Sequence, residues 1–552
     1  MWPSRFLLLL ALCLAAGADG EERSATQADP RSYKSRVPSY TFGEKQDQQE
    51  AQLKTNSLML RFTESRKKLS ADPYRPIYHY VNPESTLNDP NGLCFWQGLW
   101  HIFYQAYPPE DPRQHWGHAV SPDLIHWRDL PYAIYPDPEE RCFSGATLVE
   151  EFRVIAMYHG TKVGNMLAVS SDPLLLNWNK LTSQPVIPLL NPDGSAPPYK
   201  VFDPCIWKKG DSYYSLSGGT LPHHPSGRRT AAQFLFRSQD LKSWEYLHPF
   251  VEGDQFYLVG DDGACPYFWP IGDRHLLLYY SHMSGSKYLL GDYDTQRDKF
   301  VVTQGGRFTF GSSYPGGVHA PSAAPDGQGG VVAIFNLDSA KPTAGWNQIM
   351  SLPRRLSLLP GKDQLAMQPA GAIESLRFGH RSISSRTLPA NQEIVLDGVP
   401  GNAMEIVAEI NPGSAPLVEM NVLRSPGKEE FTRIAFYKQR GYPDWDRFAG
   451  WGKRQEACSG LITVDSSYSS ELPDVVSRAP ETAPVYLEPD EPLKLRVFID
   501  KSVVEVFVNG RQCVALRVYP GRADSVGVSL RAQGRDAELK SLDAWQMKSI
   551  HE

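Results

Sequence analysis

Short apolar runs separated by polar turns dominate the chain from about residue 75 onward. The runs are only a few residues long and are bounded by Gly, Pro, Asp and Asn. Segments of this kind are typical of strands in an all-β protein. Clear examples are 101–104, 146–148, 154–158, 213–216 and 276–280. We therefore predict an all-β fold.

One pattern recurs three times within this region. Segments 121–127, 171–178 and 238–244 each begin with Ser, carry an Asp and end at Trp, and the Trp residues are about 51 and 66 residues apart. Repeats of this length that hold several short strands are typical of propeller blades, which bury their apolar faces against one another. We predict that the three Trp residues are structural and that each Asp closes a turn between strands.

The two ends of the chain differ from this region. Residues 1–18 combine Arg5, an apolar run and a final Ala-Gly-Ala, which is typical of a cleaved secretory signal. Residues 19–72 are polar and predict a mobile lead-in with one helix around 46–67. We predict the propeller over 73–358, a linker over 359–385 and a second all-β unit over 386–552. Alternating strands such as 403–410 and 495–508 make a β-sandwich the simplest architecture for that unit.

Charge and cysteine content exclude several classes of protein. A formal net charge of −6 provides no basic surface for nucleic acid. No later segment approaches the ~20 apolar residues that span a bilayer, so we expect a secreted or periplasmic protein without a permanent membrane anchor. Six cysteines follow the signal without a C-x-x-C pair, which argues against zinc-finger and thioredoxin sites. Single buried thiols are favoured, and one or two disulfides remain open.

The sharpest local motif is Asn-Asp-Pro-Asn-Gly at residues 88–92. Taken alone, it predicts a turn, because Pro fixes φ and Asn-Gly tolerates positive φ. Further short motifs follow it in the order Phe-Tyr-Gln at 103–105, Trp-Gly-His-Ala at 116–119 and Phe-Ser-Gly at 143–145. In this order they resemble the β-fructosidases of glycoside hydrolase family 32, and the resemblance extends over about residues 75–548. It implies an N-terminal five-bladed β-propeller followed by a C-terminal β-sandwich.

The resemblance also implies roles for individual residues. Asp89 corresponds to the nucleophile that forms a fructosyl-enzyme intermediate, and Asp203 to a carboxylate that binds fructose hydroxyls and stabilises the transition state. The residues implied to contact or line the sugar pocket are Asn88, Gln105, Trp116, Phe143 and Ser144. Such an enzyme uses a second carboxyl group as acid/base and requires neither a metal nor another cofactor.

Two positions depart from the family pattern. Phe202 stands where the Arg of Arg-Asp-Pro is expected, so a charge-assisted donor to the sugar is missing. Ala264 stands where the acid/base Glu of Glu-Cys-Pro is expected, and it cannot transfer a proton. Because alternate residues of an extended segment share a face, we predict that Asp262 is a displaced acid/base, with Asp261 as the second candidate and a substrate contact. The alternative is that both acids only cap a turn before Gly263.

These observations favour a retaining glycosidase acting on β-fructofuranosides such as sucrose, levan or inulin. A fructosyltransferase would differ only in whether sugar or water accepts the intermediate. A furanosidase of a related five-bladed clan is also open, because the missing Arg permits a change of substrate. An alternative from a different functional class is a non-catalytic glycan-binding protein, which would keep the sugar pocket but lack the catalytic acid. The sequence gives no indication of the oligomeric state.

Overall fold

The computed structural model describes residues 33–221, 227, 229–253, 256–361, 363–444, 447–488 and 490–551. The predicted signal at 1–18 and the first part of the lead-in lie outside the described residues. No helix in the described part is long and apolar enough to cross a membrane.

The lead-in forms two helices that pack on the first blade. They are α1 (Gln46–Leu53) and α2 (Ser57–Leu69). The side chain of Asn56 accepts hydrogen bonds from the first backbone N–H groups of α2 and so starts a second helix within the predicted single one. Leu58 and Phe62 are buried, and the Phe62 ring meets Tyr132 edge-on with centroids 5.6 Å apart. The prediction of a mobile segment is therefore wrong for these residues, because their few apolar side chains cover the propeller.

Five sheets follow, antiparallel except for one short parallel pairing in the fourth, and they are the predicted five-bladed propeller. Blade one contains β1 (Leu87–Trp96), β2 (Leu99–Ala106), β3 (His115–Ser121) and β4 (Arg128–Ile134). Blade two contains β5 (Cys142–Val149), β6 (Val154–Gly160), β7 (Gly164–Ser170), β8 (Asn179–Lys180) and β9 (Ile187–Pro188). Blade three contains β10 (Pro204–Lys209), β11 (Ser212–Thr220), β12 (Ala231–Ser238) and β13 (Glu245–Pro249). Blade four contains β14 (Val251–Glu252), β15 (Ala264–Ile271), β16 (Arg274–Ser281), β17 (Gly285–Asp294) and β18 (Lys299–Arg307). Blade five contains β19 (Val318–Pro325), β20 (Val331–Leu337), β21 (Ile349–Met350), β22 (Arg354–Leu358) and β23 (Leu365–Pro369).

The recurring Ser–Asp–Trp segments form turns at the outer side of the first three blades. In each turn, the Asp carboxylate accepts backbone N–H groups two to five residues ahead, as Asp240 does from Lys242 and Ser243. The indole N–H of Trp244 donates to the Leu241 carbonyl at 3.0 Å. The Trp side chains of these segments are therefore structural, as predicted.

A two-sheet sandwich follows the propeller, as predicted. One sheet contains β24 (Arg377–Ile383), β25 (Arg386–Leu388), β27 (Ala403–Asn411), β32 (Leu493–Asp500), β33 (Val503–Val508), β34 (Gln512–Arg517) and β36 (Ala537–Met547). The other contains β26 (Glu393–Val395), β28 (Leu417–Arg424), β29 (Thr432–Tyr437), β30 (Gly460–Asp465), β31 (Glu481–Val485) and β35 (Gly527–Gln533). The predicted linker over 359–385 is wrong for much of its length, because β23 completes blade five and β24 already belongs to the sandwich.

Buried polar groups join the two domains away from the pocket. The carboxylate of Asp500 accepts the backbone N–H groups of Ile77, Tyr78 and His79 at 2.8 Å each. His79 also lies between Asp500 and Glu505, at 2.9 and 3.2 Å. Because these groups are fully buried and paired, they fix the entry of the first blade against the sandwich.

Candidate active site

The first long strands of the five blades surround the propeller axis. Strands β1, β5, β10, β15 and β19 contact one another in sequence around it. In four of them, the pairing with the next strand shifts over a few residues near the beginning of the strand. Such bulges change the direction in which a side chain points and are common beside active sites. Asp89, Ser144, Cys265 and His319 all lie within these shifts, so the bulges bring four side chains from four blades together.

The carboxylate of Asp89 lies at the centre of this group, and its two oxygens differ in their contacts. Oδ2 accepts hydrogen bonds from Ser144 Oγ at 2.6 Å and Gln105 Nε2 at 3.2 Å, and Cys265 Sγ lies 3.6 Å away. Oδ1 is buried, accepts no hydrogen bond from the described residues, and lies 3.5 Å from His319 Nε2. One oxygen is therefore held in place while the other keeps its lone pairs available.

Asp203 precedes β10 and faces Asp89 across a thiol. Its Oδ2 accepts the backbone N–H of Cys265 at 3.1 Å and lies 3.4 Å from Cys265 Sγ. Burial, together with the negative charge of Asp89, raises the pKa of Asp203 to about 7. Asp203 is thus poised between its charged and neutral forms near neutral pH.

Cys265 was not among the site residues predicted from the sequence. It has a positive φ of 49°, which is unusual for a non-glycine residue and accompanies the bulge in β15. Burial and the two neighbouring carboxylates raise the pKa of its thiol well above the ordinary value, so it is a neutral group between Asp89 and Asp203. The only sequence signal for a change at Cys265 was the preceding residue, which is Ala264 instead of the expected Glu.

The position of the missing Glu is closed by apolar packing. Ala264 is 1% exposed and packs in a small cluster with Cys265, Tyr280 and Ala320, against which Phe202 is partly buried. The ring of Phe202 lies 5.1 Å from that of His159. An aromatic side chain therefore occupies the position at which a guanidinium was expected, and no carboxyl group replaces the Glu at residue 264.

The two acids upstream of Ala264 point to different surroundings. Asp261 is fully buried and pairs with Lys287 Nζ at 2.7 and 3.0 Å, and it also accepts hydrogen bonds from Ser284 and the Leu258 N–H. Burial would raise its pKa, but the contact with Lys287 and the hydrogen bonds lower it instead. All of these partners hold Asp261 within the fold, and its contact with substrate stays a prediction.

Asp262 is part of an exposed ion pair. Its Oδ2 lies 2.6 Å from His282 Nδ1, with side-chain exposures of 31% for the acid and 58% for the imidazole. This contact raises the pKa of His282 to about 9. In the described part of the chain, Asp262 forms no hydrogen bond or ion pair with Asp89 or Asp203.

The other predicted pocket residues divide into two groups. Gln105 and Ser144 bind Asp89 directly, and Asn88 is held between Gln105 Oε1 at 3.2 Å and Asn336 Nδ2 at 3.3 Å. Phe143 is half-buried beside His159. Trp116, by contrast, has no exposed surface and donates its indole N–H to the Phe143 carbonyl. It supports the strand that carries Phe143, and its contact with a sugar stays a prediction.

His319 completes the group around Asp89. Its Nδ1 lies 3.0 Å from Asp338 Oδ2, and its ring stacks on Tyr280 with centroids 4.0 Å apart. Burial lowers the pKa of His319, but the carboxylates of Asp338 and Asp89 outweigh burial and raise it above the usual value. His319 was not among the site residues predicted from the sequence.

Comparison with known proteins identifies the family. The model of the glycosyl hydrolases family 32 N-terminal domain matches residues 79–369, and that of the family 32 C-terminal domain matches residues 372–546. The chain belongs to glycosyl hydrolase family 32. It is therefore a glycosidase that acts on O-glycosyl bonds, and the two matches meet where blade five ends and the sandwich begins.

Individual relatives span most of the chain. It is 28% identical to the levanase of Bacillus subtilis, over 87% of this chain and 71% of the levanase. It is 27% identical to the fructan 6-exohydrolase of Beta vulgaris, over 86% and 87% of the two chains. Among solved structures, fructan 1-exohydrolase IIa from Cichorium intybus superposes with a TM-score of 0.73 at 23% identity, covering 87% of this chain and 98% of that one. This last likeness supports the fold, and the family models support the membership.

All six described cysteines are free, and five of them are buried. The favoured prediction of single buried thiols is therefore confirmed for these residues. Cys265 is the one among them whose sulfur lies within 4 Å of both Asp89 and Asp203.

Proposed function

We propose that this enzyme is a secreted fructosidase that hydrolyses β-fructofuranosidic bonds of the sucrose, levan or inulin type with retention of configuration. The observation that carries the proposal is the Asp89 carboxylate, with Oδ2 fixed by Ser144 and Gln105 and Oδ1 left without a hydrogen bond. The names of the family relatives support the substrate class. The apolar segment within residues 1–18 supports export.

In this mechanism, Oδ1 of Asp89 attacks the anomeric carbon of the fructosyl unit and forms a covalent intermediate, which water then hydrolyses. The hydrogen bonds to Oδ2 keep the carboxylate in one orientation, so that Oδ1 is directed at the sugar. Asp203 contacts the fructose hydroxyls and stabilises the positive charge that develops at the anomeric centre. Asn88, held by Gln105 and Asn336, and Phe143 line the same pocket.

A non-catalytic glycan-binding protein is the second candidate. It is favoured by one observation, the replacement of the expected acid by Ala264 in a closed apolar cluster. The buried and unpaired Oδ1 of Asp89 argues against it, because a protein that only binds glycans has no need to leave a buried carboxylate oxygen without a partner.

Release of fructose distinguishes the two candidates. Purified protein is incubated with sucrose, 1-kestose, levan and inulin, and free fructose is measured over time. We expect release from at least one of them, and the Asp89→Ala variant should lose at least ~10⁴-fold in kcat/KM because no other group can form the intermediate. Asp193→Ala, a change in an exposed turn, is the control and should keep the wild-type rate. Binding of a fructan without any release of fructose would contradict the proposal and support the glycan-binding protein.

A further inference from the structure

A line of three side chains leads from the interior of blade five to the attacking oxygen. Asp338 follows β20, and its Oδ2 lies 3.0 Å from His319 Nδ1. On the other side of the ring, His319 Nε2 lies 3.5 Å from Asp89 Oδ1. Because an ionised carboxylate only accepts hydrogen bonds, Nδ1 carries a proton and donates it to Asp338. This contact fixes the orientation of the ring and directs Nε2 at the pocket.

The imidazole also lies beside the position at which the acid is missing. Ala264 packs against Tyr280 and Ala320. His319 immediately precedes Ala320 and stacks on Tyr280. The bulge between Val318 and Pro321 turns this part of β19 toward the axis. The short Ala264 side chain in blade four is thus flanked by a titratable ring from blade five.

Three other titratable residues lie near the pocket, and none of them faces Oδ1 of Asp89 as His319 does. Asp262 uses one carboxylate oxygen to bind His282, and both side chains are substantially exposed at the rim. His282 meets His319 edge-on, with ring centroids 6.5 Å apart, so it lies one ring farther from the centre. Asp203 is on the thiol side of Asp89, next to the oxygen that is already held by Ser144. The unpaired oxygen Oδ1 faces His319.

We propose that His319 is the acid/base residue of this enzyme, with Asp338 as the residue that positions it. The inference rests on the proposed fructosidase function and names the proton donor of that same site. Nε2 lies 3.5 Å from Oδ1, and a sugar that enters between them meets the imidazole with its glycosidic oxygen as the two groups separate toward the ~5–5.5 Å of a retaining pair.

The reaction has two steps. In the first, a bond forms between Asp89 Oδ1 and the anomeric carbon, and the glycosidic C–O bond breaks. Its electron pair goes to the leaving oxygen, which takes the proton from Nε2 of the imidazolium. In the second step, neutral Nε2 accepts a proton from water as the water oxygen attacks the anomeric carbon. The bond to Oδ1 breaks, and the aspartate and imidazolium forms return.

The surroundings of His319 favour the protonated form that the first step needs. Asp338 from blade five and Asp89 from blade one raise its pKa, while burial and the charge of His282 from blade four lower it. Tyr280 contributes a stacked ring. Because His319 protonates below its raised pKa, bond cleavage should be fast below that pKa and should fall as the pH rises through it.

The test compares substrates that do and do not require an acid. For His319→Gln, we expect kcat/KM on the natural substrate found for the wild type to fall ~10²–10⁴-fold. The first release of nitrophenol from p-nitrophenyl β-fructofuranoside should fall less than about tenfold, because nitrophenolate leaves without a proton. Hydrolysis of the intermediate then lacks a base, so a burst should precede slow turnover. Azide should restore turnover by forming fructosyl azide, because it attacks without losing a proton.

His380→Gln is the matched control. His380 also pairs with an aspartate, Asp543 at 2.8 Å, and stacks on an aromatic ring, Trp545 with centroids 4.9 Å apart, but it lies in the sandwich. Loss of that histidine should leave both substrates and the pH profile unchanged. Asp338→Asn is the second test of the proposal. It removes the charge that raises the pKa of His319, so the alkaline limb of kcat/KM should move to lower pH.

The competing variant is Asp262→Asn. If it shows the burst and azide rescue while His319→Gln acts on both substrates as wild type does, Asp262 is the acid and the inference about His319 is overturned. Equal losses on both substrates in His319→Gln, without azide rescue, would also overturn it, since they would indicate a structural role. Failure of the wild type on every substrate would instead contradict the proposed function.

Discussion

The two sides of the pocket differ in how closely they follow the family pattern. The first side, formed by Asn88, Asp89, Gln105 and Ser144 from blades one and two, keeps all of the expected residues, and they are joined by hydrogen bonds. The second side, from blades three to five, keeps Asp203 but has Phe202 and Ala264 at the positions of an Arg and a Glu. The residues proposed to hold the nucleophile therefore follow the family motif, whereas the position expected to supply the proton does not.

Asp203 is the one acid of the family motif that the second side retains, and its replacement is the strongest test of this contrast. We expect Asp203→Asn to reduce kcat/KM about 10³-fold, because a neutral amide cannot offset the positive charge at the anomeric centre. KM and kcat should both change, since Asp203 is proposed to bind the sugar hydroxyls in the ground state and in the transition state. A loss under about tenfold would mean that Asp203 takes no part in catalysis.

The same variant should change the pH dependence of stability. The folded-state pKa of Asp203 is raised to about 7, above the ~3.9 of an unfolded aspartate. Between these values the native state binds more protons than the unfolded one, so this group makes the free energy of unfolding fall as the pH rises from about 4 to about 7. Asp203→Asn should therefore raise Tm at pH 8 by about 2–4 °C, and the gain should vanish near pH 4. Thermal unfolding at both pH values measures it.

A smaller effect is expected on the first side. Ser144→Ala removes the 2.6 Å hydrogen bond to Asp89 Oδ2, and a bond to a charged group contributes about 1.5–3 kcal/mol. The corresponding loss in kcat/KM is roughly 10–150-fold. Thr147→Val, on the same strand, removes a buried hydroxyl that binds the Gly92 carbonyl and does not contact Asp89. This control should leave kcat/KM within about twofold, whereas equal losses in both variants would mean that the first side acts through stability alone.

Local patterns were sufficient to predict the architecture. Short strands, turn residues and the repeated Ser–Asp–Trp segments predicted blades, and the structure has the same carboxylate-closed turns. The lead-in was misjudged because its apolar residues are few, yet Phe42, Leu58 and Phe62 are all buried on the propeller. Composition alone does not reveal a surface elsewhere in the chain that such residues can cover.

The site was predictable only where the sequence followed the family motif. Asp89, Gln105 and Ser144 lie together as that motif implied. Alternation along a strand says which side Asp261 faces but not that Lys287, on another strand, will pair with it. His319 and Cys265 are brought to Asp89 by bulges in β19 and β15, and such a register shift against the next strand has no reliable signature in the sequence.

Identification of the covalent intermediate tests directly whether Asp89 is the nucleophile. Wild-type enzyme is quenched with acid during turnover of its substrate, digested, and mapped by peptide mass spectrometry. We predict that the added mass of one fructosyl unit appears on the peptide containing Asp89 and is absent from the Asp89→Asn variant. A fructosyl unit attached to any other residue, or turnover of fructosides with inversion of configuration and no adduct, would show that Asp89 is not the nucleophile.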